Sequence, residues 1–372
     1  MAITLFDEDD DELVDDVDEE GVVAPVAQGL TYFGTDFDVH GIVRRLENRD
    51  VTVPTFDPKQ PVTASGIQGF QRRFVWRKPQ MDRFIESLLL GYPVPGIFLV
   101  EEPNKTLLVL DGQQRLRTLL AFYSDNYNQN PFKLENVDDD LKGKTYDSLS
   151  DEARRALDNT FIHATIVRPE PGRDGHGAVY QLFERLNTGG TNLQPQEIRV
   201  ALFHGRFVDL LRDLNESADW RRLYGKRSER LKDQELILRF FALLNNRHAY
   251  ERPLKIFLND YLSDHQDDSA RACKSNRDRF LSTCELINKA LGPAAFRVRR
   301  NLNAALADAI MVGLAERLAN RSTVPSAAGV RRAHADLISD AAFILTITAS
   351  TADEETVAVR LQKAIDAFAS LR

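Results

Sequence analysis

Asp111, Gly112, Gln113, Gln114 and Arg115 stand together between the apolar run Leu107-Leu108-Val109-Leu110 and a stretch that places Leu116, Leu119, Leu120 and Tyr123 on one helical face. A strand that delivers a glycine turn into a helix N-terminus makes an anion site. The first backbone N–H groups there lack intrahelical partners, and the helix dipole favours negative charge. Gly112 lets the backbone approach a phosphate closely. Gln113 and Gln114 offer amides that orient a base, a sugar or a phosphate, and Arg115 offers a bidentate fork for phosphate oxygens. Asp111, at the strand end, is suited to hold a magnesium ion or to position a water. The plainer alternative makes Asp111 a helix N-cap beside solvated glutamines. It suits any one of these residues better than it suits five of them at the exit of a buried strand.

Two further clusters carry the same kind of chemistry. In the segment 69–80, Phe74 and Trp76 suit a core, and Arg72 and Arg73 suit either solvent or the same phosphates. In the segment 183–199, Gly189-Gly190 stops a helix, and Pro195 with Glu197 opens the next, which is ordinary capping chemistry. Capping does not explain Asn187 beside Thr188, nor Glu197 followed so closely by Arg199. Those residues are candidates to complete a nucleotide or metal pocket.

The elements around these clusters follow from periodicity. A short helix is expected over 37–49, then an extended stretch at Val51-Thr52-Val53, then a helix burying Met81, Phe84, Ile85 and Leu88. Strands follow at 97–100 and 106–110, so that the polar junction sits at the pivot of a helix–strand–hairpin–strand–helix unit. Residues 124–144 read as a polar, flexible insert before a strand at 161–167. Two helices come next, one burying Val179, Leu182, Phe183 and Leu186, the other starting near Pro195 and burying Ile198, Ala201 and Leu202. Beyond Phe207 only helical patterns remain, chiefly 234–245, 271–290, 302–319, 330–347 and 354–371. The expected fold is α+β. An acidic tail at 1–30 precedes a nucleotide-binding domain at 31–205 and an all-helical domain at 206–372.

Charge and composition narrow the class. The net charge is −8, but residues 7–20 alone hold eleven acidic side chains and no basic one, so the rest of the chain carries +3. Such a tail buries too little apolar surface to fold alone. It serves as a solubilising tail or as an occupant of a basic groove in its own protein. The body offers two basic stretches as a DNA-phosphate surface: Arg221, Arg222, Lys226, Arg227 and Arg230, and then Arg297, Arg299 and Arg300. Solvated helix faces are the alternative. Cys273 and Cys284 fall in one expected helix at roughly 16 Å, too far for a disulfide. The seven histidines show no metal-ligand spacing. His265 has Asp264, Asp267 and Asp268 as neighbours, but a solvated loop accounts for it. With no signal peptide and no apolar run of about 18 residues, the chain reads as soluble and cytoplasmic.

Taken together, the three clusters resemble the DGQQR-motif family, the N-terminal domain type of GmrSD and SspE restriction proteins within the ParB/sulfiredoxin-like superfamily. The resemblance spans roughly residues 34–207. Its anchors are Gln71-Arg72 with Trp76, then Asp111 to Arg115, then Phe183-Glu184-Arg185-Leu186-Asn187-Thr188-Gly189-Gly190 running to Glu197. It implies a ParB/sulfiredoxin-like fold, NTP and magnesium as cofactors, NTP hydrolysis, and a role in defence against phage or modified DNA. In ParB-like proteins a similar turn cradles a triphosphate, and a later helix binds magnesium and phosphates. This implies catalytic roles for Asp111, Gln114 and Arg115, and nucleotide contacts from Gln71, Arg72, Gly112, Gln113, Glu184, Asn187, Thr188, Gly189 and Gly190. Asp111 and Glu184 are the implied metal ligands. GmrSD and SspE proteins also carry a His-Asn-His nuclease domain, and the later histidines of this chain do not form one. DNA is the expected partner, with a separate nuclease subunit and a second copy of the chain as further candidates and no membrane. Two rival readings stand: an endonuclease that uses the DGQQR site itself, and a non-catalytic, nucleotide-switched adaptor that recruits a nuclease.

Overall fold

The computed structural model of the chain describes residues 29–53, 76–127, 130–171, 173–186, 194–298, 301–321 and 323–371. Residues 1–28 of the acidic tail, Gln71 to Phe74, Asn187 to Gly190, and Arg299 and Arg300 lie outside the described residues, and Leu30, expected in the tail, belongs to a strand. Two compact units divide between Leu193 and Gln194, earlier in the chain than the boundary expected after residue 205.

The first unit is built on a five-stranded sheet. Its elements are β1 (Leu30–Asp38), α1 (Val39–Glu47), β2 (Val51–Thr52), α2 (Lys78–Leu89), β3 (Ile97–Glu101), β4 (Leu107–Asp111), α3 (Gln113–Tyr123), α4 (Asp151–Asp158), β5 (Phe161–Pro169) and α5 (Arg173–Leu186). The strand order is β1-β5-β3-β4-β2. β1 runs antiparallel to β5 and β3 antiparallel to β4, while β5 pairs parallel with β3 and β2 parallel with β4. Because side chains alternate across a strand, Leu107 and Val109 of β4 enter a core with Leu99, Ile166, Phe84, Leu116 and Phe122. Leu108 and Leu110 are also buried but lie outside that core, and α5 packs on β4, β5 and β1. Cover on both faces explains why β4 reads as an unbroken apolar run.

Three expectations change here. The helix expected from residue 37 begins at Val39, because Leu30–Asp38 is a strand and Asp38 is the N-cap, its Oδ1 accepting from Gly41 N at 2.6 Å. The insert at 124–144, expected to be flexible, is pinned in its described part. Phe132 and Leu134 are fully buried, and buried Asp82 of α2 accepts from the Glu135 and Asn136 backbone at 3.2 and 3.0 Å. The helix expected over 330–347 is two helices, broken at Asp340, which caps the second by accepting from Ala342 N.

The second unit is helical: α6 (Pro195–Leu202), α7 (Arg206–Asn215), α8 (Ala218–Tyr224), α9 (Lys232–Asn246), α10 (Leu254–His265), α11 (Ala270–Ala290), α12 (Ala304–Asn320), α13 (Ala327–Ser339), α14 (Ala341–Thr346) and α15 (Glu354–Ala369). Helix α12 is its axis, apolar almost all round and packed by α9, α11 and α15. Gly313 permits the α15 contact, since a Cβ there would stand 2.9 Å from the Ala364 backbone. Mixed α and β in the first unit with helices in the second is the α+β arrangement expected. Among the described residues no helix is long and apolar enough to cross a membrane.

Candidate nucleotide site

At the β4–α3 junction the strand hands over to the helix in a single residue. Asp111 ends β4 opposite Phe98, where β3 shifts register, the kind of bulge that re-aims side chains beside functional sites. Gly112 follows at φ +96°, in the left-handed region, and serves as the N-cap of α3. A Cβ at this position would stand 2.4 Å from Cγ2 of Ile97, so backbone conformation and packing both demand glycine. That reason is structural and independent of any phosphate. Asp111 is not the N-cap, and no side chain caps the α3 N-terminus, so its positive end is not neutralised locally.

The polar residues are positioned, not loose. Arg115 is largely buried, and its Nη2 donates to Asp111 Oδ2 at 2.8 Å and to the Gly96 carbonyl at 2.9 Å. Its Nε is buried without a hydrogen-bond partner. Gln114 Oε1 accepts from the Trp76 backbone N–H at 3.3 Å, and the Trp76 ring packs edge-on against Phe84. This ties the end of the Gln71–Trp76 cluster to the junction. Asp111 is about half exposed, leaving its carboxylate accessible beside the guanidinium. Sequence reasoning missed Arg117, one turn beyond Gln113 on the same helix face. Burial pushes its guanidinium down to about 10, and the only signal in the sequence was the Arg-x-Arg spacing after the two glutamines.

The chemistry such a junction supports is phosphate binding: an uncapped helix N-terminus with an arginine held by an acid and a carbonyl beside it. The donor set fits magnesium only in part. Among the described residues no group of three or more acidic, histidine or cysteine side chains gathers as a metal cage. Magnesium typically takes one or two carboxylates and completes its shell with phosphate oxygens and water, which Asp111 suits. Glu184 sits half-buried on α5.

The remaining candidates lie elsewhere. Glu197 and Arg199 belong to the helical unit, where Glu197 accepts from Gln194 N at 2.6 Å and pairs with Arg230 at 3.3 Å. Arg199 is fully buried, donating to Glu235 at 2.6 Å and Asn259 at 2.7 Å. Two of the expected DNA contacts, both partly buried, are engaged within the helical unit. Arg221 donates to buried Asp233 at 3.0 Å and Asn215 at 2.6 Å, and Arg297 donates to the carbonyls of Leu223 and Tyr224, closing the end of α8. Arg227 pairs with Glu216. Arg222 and Lys226 face solvent. His265 ends α10, paired with Asp268 at 3.1 Å and packed on Tyr261, in place of the solvated loop expected.

Residues 62–204 match the family model described as GmrSD restriction endonuclease, N-terminal domain. An uncharacterized protein of Methanocaldococcus jannaschii is 27% identical over an alignment 232 positions long, and the match covers 39% of this chain. The chain spans 40% of that relative's length. No solved structure matches significantly.

Proposed function

We propose, taking residues 62–204 as a GmrSD-type N-terminal domain, that the chain binds a nucleoside triphosphate at the β4–α3 junction and hydrolyses it within a restriction or anti-phage system that engages DNA. The observation that carries this reading is Arg115 held against Asp111 and the Gly96 carbonyl beside the uncapped start of α3. The α3 N–H groups and Arg115 receive phosphate oxygens, whose charge the dipole and guanidinium offset. Gln113 and Gln114 orient the nucleotide, and Arg72, Glu184 and Asn187 to Gly190 are the further contacts that the family resemblance implies. Asp111 orients the attacking water. A magnesium ion bound with the phosphates would supply charge neutralisation there, with Asp111 as its protein ligand. Arg222 and Lys226, with Arg299 and Arg300, are the cations assigned to DNA phosphate.

The test is NTP binding and phosphate release by the full chain, with circular dichroism as the folding control. Loss of a charge-assisted hydrogen bond costs about 1.5–3 kcal/mol, so Arg115→Ala should weaken nucleotide binding about 10- to 100-fold and abolish turnover. Asp111→Ala should lower turnover more than binding. If both variants hydrolyse NTP like the parent, the site assignment is wrong. The purified chain should leave plasmid DNA intact with magnesium or manganese. Cleavage that vanishes in Asp111→Ala would instead make the junction an endonuclease site.

A further inference from the structure

The five-stranded sheet has two unlike edges. At one, β2 is only two residues long, too short to template a further strand. At the other, β1 runs nine residues in unbroken register with β5, from Leu30 opposite Pro169 to Asp38 opposite Phe161. Edge strands are commonly blunted by lysine, proline or a bulge, and β1 carries none of these. Its only charges are engaged away from the edge. Asp36 Oδ1 lies 2.9 Å from Nδ1 of His163 on β5, and Asp38 caps α1. Tyr32, 76% exposed, stands on the same sheet face as Asp36, because side chains alternate along a strand.

The polarity of the free edge follows from the ladder. At the two ends of the β1–β5 pairing, Val39 N donates to the Thr160 carbonyl at 2.9 Å and Glu170 N to the Gly29 carbonyl at 2.7 Å. In an antiparallel ladder, hydrogen-bonded residues alternate with non-bonded ones. Thr31, Phe33, Thr35 and Phe37 therefore share the phase of Gly29 and Val39 and bond to β5. Leu30, Tyr32, Gly34, Asp36 and Asp38 turn their N–H and C=O groups outward, where no strand among the described residues meets them.

We infer that β1 is a dimerisation strand, which receives β1 of a second copy in antiparallel register and makes one continuous sheet. The strand is complementary to itself. Gly34 is its middle residue, so flush overlap of two copies sets Gly34 opposite Gly34, Tyr32 opposite Asp36 and Leu30 opposite Asp38. All five are outward-facing residues, so each outward N–H meets an outward C=O. Each aspartate faces an uncharged side chain, and the Tyr32 hydroxyl is placed to donate to the Asp36 carboxylate across the strands. A foreign strand would have to supply these matches, whereas a second copy already carries them. The pairing is isologous, and the short β2 edges end the joined sheet, so association stops at two chains. One strand per copy is a small interface, so the dimer should be concentration-dependent. The inference is independent of nucleotide turnover at Asp111–Arg115.

Sedimentation equilibrium of the full chain over a concentration series, with residue-resolved amide exchange by NMR, tests the pairing. A monomer–dimer equilibrium is expected. As the dimer fills, the Tyr32, Gly34 and Asp36 amides should gain protection, while those of Thr31, Phe33 and Thr35, already bonded to β5, change little. This alternation reads the interface in the parent chain without any substitution. Tyr32→Asp sets like charges opposite each other twice in the dimer and should weaken it about tenfold. Adding Asp36→Lys makes both cross-strand pairs opposite in charge and should restore dimerisation to within about threefold of the parent. Both side chains are exposed, and unchanged protection of Thr31, Phe33 and Thr35 verifies that β1 still folds onto β5 in the variants. A chain that is monomeric at every concentration, a dimer without the alternating protection, or a charge swap that fails to rescue overturns the inference.

Discussion

Replacing Gly112 with alanine tests how tightly the junction is built. Two costs arise separately. An L-residue held in the left-handed region loses about 1–2 kcal/mol relative to glycine. The new Cβ would also meet Ile97, at 2.4 Å from Cγ2 and 3.0 Å from Cβ. Forcing a methyl group into such a packed position costs about 1–3 kcal/mol. Gly112→Ala should therefore raise the free energy of the folded junction by about 2–5 kcal/mol, and exchange of the β3, β4 and α3 amides should quicken by roughly 30-fold or more at about 1.4 kcal/mol per factor of ten. Ile97→Ala alone removes a buried side chain and should destabilise by about 2–5 kcal/mol. In the double variant the Cγ2 clash is gone, so the two effects should fall short of their sum by about 1–3 kcal/mol. The left-handed cost should remain. Native-state hydrogen exchange on peptides covering residues 97–119 measures all three variants. Additive effects would refute the packing argument and leave only the left-handed backbone cost, and exchange in Gly112→Ala within threefold of the parent would refute both.

Asp233 is fully buried and accepts from Asn215, Arg221 and the Ser228 N–H, so Asp233→Ala leaves Arg221 without its ion pair. It should destabilise the helical unit by about 3–5 kcal/mol in urea titration, and a loss under 1 kcal/mol would contradict the bracing role given to Arg221. Burial and the Asp158 carboxylate push the Tyr146 hydroxyl up to about 12 and raise Tyr123 further, both hydroxyls donating to Asp158. Because the folded state holds these protons more tightly, their stabilisation is full below pH 10 and is lost as pH rises through about 12. Asp158→Asn should move the tyrosinate absorbance titration to lower pH, and an unchanged titration would refute the assignment. Deleting residues 1–20 should tighten DNA binding at low salt and have little effect once screening shortens the Debye length to about 8 Å; equal affinities throughout a salt series would leave the tail a solubility device.

The site's pivot was legible because two local signals coincide there. An apolar run long enough for a doubly covered strand meets a glycine and a helix period within a few residues, and the hydrogen bonds of Arg115 to Asp111 stay within one helical turn. β1 had no such signal. It is an edge strand exposed on both faces, with Thr31, Tyr32 and Phe33 in succession open to solvent, so the alternation that betrays a half-buried strand is blurred, and only pairing with β5 defines it. Asp340 broke a helix that periodicity joined, because a cap acts through one side chain and leaves the apolar spacing on either side intact. The arginines were the hardest to read. Arg221 and Arg222 are adjacent and chemically identical, yet helical rotation aims one at buried Asp233 and the other at solvent. Counting basic residues along a segment therefore overstates a DNA surface wherever acids from elsewhere in the fold, here the first turn of α9, reach the same helix.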